Sequence, residues 1–146
     1  MTRERQNLSS AARRQDRHRQ KRLHRDNERV YRVAPGDGLW SSLAAFAQHS
    51  SRTLKECYVA AIEEILEAEN IRSKVQAGKT EIESSNFWPK TQTLGKRKEL
   101  ILPKELSVRT FVQCKVNIGS FSRDELIRAA IFFFLKERHW FRQNQD

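Results

Sequence analysis

One design occurs twice in this chain at a constant spacing, and that repetition limits the possible folds more than composition does. From Ser122 to Glu137, Ser122 is followed three residues later by Glu125. This is the spacing at which the two close a capping box at the start of a helix. Behind it, Leu126, Ala130, Ile131, Phe134 and Leu135 recur at helical spacing and form one apolar stripe. Sixty-nine residues earlier the same design stands at Thr53, Glu56, Cys57, Ala61, Ile62, Ile65 and Leu66, with Ala60-Ala61-Ile62 under Ala129-Ala130-Ile131. The same offset sets Leu39, Leu43 and Ala47 under Val108, Val112 and Val116, read as the core stripe of another helix ahead of the capped one. Ser50-Ser51-Arg52 and Gly119-Ser120-Phe121 separate the two helices as turns. Ahead of both lie the β-prone runs Arg29–Val33 and Lys98–Leu102, stopped by Pro35 and Pro103. Each unit reads as strand, helix, turn, capped helix.

A lone strand has nothing to pair with, and two helices of about a dozen residues cannot bury a core. Two copies solve both problems if their strands pair antiparallel and their four helices interlock beneath. At this point Leu102-Pro103-Lys104-Glu105-Leu106 followed by Ser122-Arg123-Asp124-Glu125-Leu126-Ile127-Arg128-Ala129-Ala130-Ile131 resembles the Arc/MetJ ribbon-helix-helix superfamily. In the first copy Ala34-Pro35-Gly36-Asp37-Gly38 replaces the usual Leu-Pro-Glu-Glu, so that copy rests mainly on the offset. The expected fold is mainly α with a short two-stranded antiparallel ribbon, two ribbon-helix-helix units in one chain forming a pseudo-dimer. A tandem arrangement of this kind is similar to TraY-type relaxosome accessory proteins. The expected organisation is a disordered basic arm over 1–27, a first unit over 28–70, a linker over 71–96, a second unit over 97–138 and a tail over 139–146.

Charge is distributed unevenly along this organisation. The chain has net charge +10 and 32% charged residues, and no apolar run long enough to span a membrane. Residues 1–27 carry nine Lys/Arg against Glu4, Asp16 and Asp26 and almost no large aliphatic side chains, too little apolar surface to fold alone. Arg13, Arg14, Arg17, Arg19, Lys21, Arg22 and Arg25 are the expected phosphate contacts of this arm; a solvated solubility tail, or a basic helix touching an acidic protein, is the other reading. The first unit is net −3, with Glu63, Glu64, Glu67 and Glu69 gathered at the end of its capped helix, read as a solvated face or a docking surface for a basic partner. No apolar stretch follows the basic N-terminus, so no secretory signal is expected. Cys57 and Cys114 sit where the pattern wants small apolar side chains, which fits core packing in a reducing, cytoplasmic setting. Phe132 and Phe133 lie off the core stripe and need a cover: Phe87-Trp88, Trp140-Phe141 or another protomer.

Alternation in a two-stranded ribbon assigns Tyr31, Val33, Leu100 and Leu102 inward and leaves Val30, Arg32, Arg97, Glu99 and Ile101 outward. A ribbon of this width fits the major groove, and the resemblance implies that these outward residues read bases. Arg52, Thr53, Lys55, Ser120, Ser122 and Arg123 flank the starts of the capped helices, where free N–H groups can seat phosphates. Plain capping accounts for Thr53 and Ser122 without any ligand. His18, His24, His49 and His139 show no metal-ligand spacing, and no phosphate loop or nucleophile elbow is present, so no enzyme and no cofactor is expected. The expected function is sequence-preferring binding of double-stranded DNA as an accessory factor of plasmid or mobile-element conjugative transfer, acting at an origin of transfer beside a relaxase or other transfer protein. An autoregulating transcriptional repressor is the alternative, and a protein–protein adaptor stands further off. No membrane partner is expected. The chain would act as a monomeric pseudo-dimer or as a higher oligomer on DNA.

Overall fold

The computed structural model describes residues 27–85 and 96–143. Phe87-Trp88 and all of the arm but Asn27 lie outside the described residues. The fold is mainly helical, with one two-stranded antiparallel sheet among the described residues. Strand β1 (Glu28–Val33) is followed by α1 (Asp37–His49), α2 (Leu54–Leu66) and α3 (Ile71–Ser84). Strand β2 (Lys98–Pro103) is followed by α4 (Lys104–Val116), α5 (Arg123–Glu137) and the short α6 (Trp140–Gln143). Tyr31 stands opposite Leu100, Val30 opposite Ile101 and Arg32 opposite Glu99. Tyr31 and Leu100 are counterparts at the sixty-nine-residue offset, so the ribbon is centred on matching positions of its two strands.

Beneath the ribbon, α2 and α5 pack on each other through Ala61, Ile62, Ile65, Ala130, Ile131 and Phe134, all buried. Each fully buried aliphatic side chain contributes about 1.5–3 kcal/mol relative to exposure. Both helices start where their caps dictate. Ser122 Oγ accepts from the Glu125 N–H at 3.1 Å, and the Ser122 N–H donates to Glu125 Oε1 at 2.9 Å, closing the box. Thr53 Oγ1 accepts from the Glu56 N–H at 3.1 Å, but there the return bond runs from the Thr53 hydroxyl to Glu56 Oε1.

The constant offset fails in the helix ahead of the caps. Val108, Val112 and Val116 are 52%, 45% and 67% exposed, while Leu106 and Thr110 are the buried positions of α4. They match Leu39 and Leu43 of α1 at sixty-seven residues, the offset that also relates the ends of the two helices. The shift arises in the entries. Ala34-Pro35-Gly36 separates β1 from α1, with Gly36 at a φ of 92° that a side chain would resist. Pro103, with φ preset at −53°, ends β2 and caps α4 with no residue between. The connector between α4 and α5 is longer than that between α1 and α2, and it restores the offset at the caps.

The segment expected as a linker contains α3. Asn70 caps it by accepting from the Ser73 N–H at 3.0 Å, and Val75, Gly78 and Ile82 form its buried face. Gly78, which signals a turn in the sequence, instead lets α3 approach α5: a Cβ there would lie 2.9 Å from Ala129 Cβ and from the Phe133 ring edge. Lys74 sits 4.1 Å over the Phe133 ring. Phe141 stacks on Phe132 at 5.3 Å between centroids, and Trp140 is buried against Phe46. The two phenylalanines are thus covered by α3 and α6, and the start of the expected tail belongs to the core.

Candidate nucleic-acid interface

The pleat turns Tyr31, Val33, Leu100 and Leu102 into the core. The other parity puts Val30, Arg32, Glu99 and Ile101 on one outer face. Arg32 and Glu99 are exposed; Val30 and Ile101, directly opposite each other, are half-buried. Arg97 is exposed and lies just ahead of β2. The outer face is electrostatically occupied. Arg32 Nη2 lies 3.4 Å from Glu99 Oε1 across the ribbon, and Lys55 at the start of α2 pairs with Glu28. Such exposed pairs are worth about 0–1 kcal/mol and are easily exchanged for another partner.

Both capped helices begin at the ribbon. Besides the Lys55–Glu28 pair, α2 contributes Tyr58, whose hydroxyl accepts from the Ile101 N–H at 2.9 Å and reaches Ile101 O at 3.4 Å. Burial raises the Tyr58 pKa even though the Ile101 backbone contact lowers it, so the hydroxyl keeps its proton and fills both roles. On the other side Asp124 Oδ1 accepts from the Ala34 N–H at 3.0 Å, and the Arg123 guanidinium lies 4.9 Å over the Tyr31 ring. Sequence reading missed Tyr58 as an anchor because its counterpart, the buried Ile127, has no hydroxyl. The two strands are therefore held differently.

Arg52, Thr53, Lys55, Ser120, Ser122 and Arg123 are all exposed. Some of the expected phosphate seats are already used: the Arg52 N–H donates to Ala47 O and the Ser120 N–H to Asn117 O, each at 2.9 Å. Asp124, Glu125 and Glu56 also place negative charge in the first turns. Arg13, Arg14, Arg17, Arg19, Lys21, Arg22 and Arg25 lie outside the described residues.

Glu63, Glu64, Glu67 and Glu69 are all exposed, and two of them pair with arginines of the second half of the chain. Arg138 binds Glu64 at 2.6 Å, and Arg109 binds Glu67 at 3.2 Å. Burial raises the pKa of both Cys57 and Cys114, which keeps them as thiols, and both are free. Among the described residues no group of three or more His, Cys, Asp or Glu is placed to hold a metal ion, and no helix is long and apolar enough to cross a membrane. In comparison with known proteins, the chain matches no family model, no curated protein and no solved structure.

Proposed function

We propose that the chain binds double-stranded DNA with sequence preference, as two ribbon-helix-helix units joined into a pseudo-dimer whose ribbon enters the major groove. The observation that carries this reading is the register: an antiparallel pair centred on counterpart residues, with Arg32 and Glu99 exposed on its outer face and a capped helix starting at each strand. A ribbon so raised can lay alternate side chains against base edges while helix N-termini approach the flanking phosphates. Arg32 is the residue suited to a guanine, once it leaves Glu99. In this reading the protein serves conjugative transfer, marking an origin of transfer for a nicking enzyme. Footprinting separates that use from autoregulation: a site beside a nick supports transfer, and a site over the chain's own promoter supports repression.

The test is duplex affinity measured across a salt series. Binding should weaken steeply with salt as phosphate contacts release counterions. Arg32→Ala should cost about 1–3 kcal/mol at preferred sites if its contact is bidentate. Glu99→Gln should tighten binding, because it frees Arg32 and removes a charge that repels phosphate. Affinity that is absent, or indifferent to salt and to both substitutions, would sink the reading and leave the adaptor role.

A further inference from the structure

The outward face of α4 is apolar and is left exposed among the described residues. Among the described residues, every large hydrophobic side chain that is exposed falls between Val108 and Ile118. Helix α1 shows what a solvated version of this face needs. At the positions matching Val108, Phe111, Val112 and Val116 it carries Ser41, Ala44, Ala45 and His49, all exposed. The same helix in the same fold is small or polar there in one place and carries large apolar side chains in the other. Contiguous apolar surface of this kind marks a contact.

The charges at its ends say which contact. Glu105 and Lys115 are exposed and have no ion-pair partner among the described residues. They lie five residues before and after Thr110, and Val108 and Val112 lie two residues before and after it. All four fall on the outward side of the helix, since Leu106 and Thr110 define the buried side. A copy of α4 laid antiparallel about a two-fold axis at the level of Thr110 therefore sets Glu105 against the partner subunit's Lys115 at both ends. Val108 then meets the partner subunit's Val112, and Phe111 closes the flank. A patch complementary to itself in both charge and apolarity is what an isologous dimer requires.

We propose that two copies of the chain associate through α4 in this antiparallel arrangement. The proposal does not rest on DNA binding and is measured without DNA. Sedimentation of the full chain should be followed up to on the order of 500 µM, since one helix pair falls below a standard-size interface and binds weakly. The mass should move from monomer towards dimer with concentration. Val112→Asp should hold it monomeric throughout, with unchanged circular dichroism and melting. Glu105→Lys and Lys115→Glu should each weaken association roughly tenfold. The double variant carrying both should recover the wild-type dissociation constant, a rescue that a different partner face would not give. A chain monomeric at every concentration would overturn the proposal, as would a dimer indifferent to Val112→Asp or a double variant no better than the singles.

Discussion

Glu125 joins three parts of the molecule through one carboxylate. Burial works to raise its pKa, but the Ser122 N–H, Lys79 at 3.1 Å and the Ser122 hydroxyl together outweigh it and hold the pKa below the ordinary value of 4.5. A depressed carboxylate contributes stability that is present above the unfolded-state pKa and is lost as the pH falls through the folded one. Glu125→Gln keeps an acceptor for the Ser122 N–H but loses the charge. At neutral pH it should cost about 1 kcal/mol, in the range of a helix cap and a partly exposed pair. That difference should shrink as the pH drops below 4.5 and vanish at strongly acidic pH, read from urea midpoints of both proteins. A gap that stays constant with pH would mean that the carboxylate charge is not what matters. The sequence carries half of this arrangement. Ser122 and Glu125 announce their box by spacing alone, whereas Lys79 lies in a stretch that reads as a solvated linker and reaches Glu125 only through tertiary packing. Tyr58 and Ile101 illustrate the same limit: no local pattern tells that a hydroxyl on one helix will satisfy a backbone group of a strand forty-three residues away.

At the scale of elements, the strands and the capped helices are legible because period and punctuation agree. Tyr31 and Val33 alternate before Pro35, and Leu126 to Leu135 recur behind a cap. Helix α4 is harder, because its apolar residues form two stripes and the longer one faces out. Val108, Val112 and Val116 look like a core by periodicity, yet the entry at Pro103 rotates Leu106 and Thr110 inward instead. Thr110 hides as a core residue because its hydroxyl is satisfied within the helix, donating to Leu106 O at 2.7 Å. Helix α3 is missed because Gly78 reads as a break. The position supports a sharp prediction in which two effects oppose each other. Gly78→Ala gains about 1 kcal/mol of helix propensity. It also drives a methyl to within 2.9 Å of Ala129 Cβ, which has no rotamer with which to move away. Overpacking of this kind costs about 1–3 kcal/mol, so thermal melting should show net loss of stability. A variant that melts higher than wild type would mean that α3 does not sit this close to α5.

For the whole molecule, the unequal strands give the proposed DNA complex a direction. β1 offers Val30 and Arg32 outward, and β2 offers Glu99 and Ile101 with Arg97 ahead of it. Within the stretch covered by one chain the preferred bases should not form a palindrome, and Arg32→Ala should relax preference in one half only. Selection from a random duplex pool reads this directly; a symmetric site, or equal loss in both halves, would require two chains to build one ribbon. The pairing of Tyr31 with Leu100 also governs when such a surface can exist. Its two sides are sixty-nine residues apart in the chain, so closing the ribbon incurs a large loop-entropy cost before any ladder bond forms. During synthesis β1 must wait, as an unpaired edge with Val30 and Tyr31 unsheltered, until residues beyond Pro103 have left the ribosome. The surface proposed for DNA thus cannot assemble before β2 has emerged, and a nascent chain stalled before that point has no ribbon to offer.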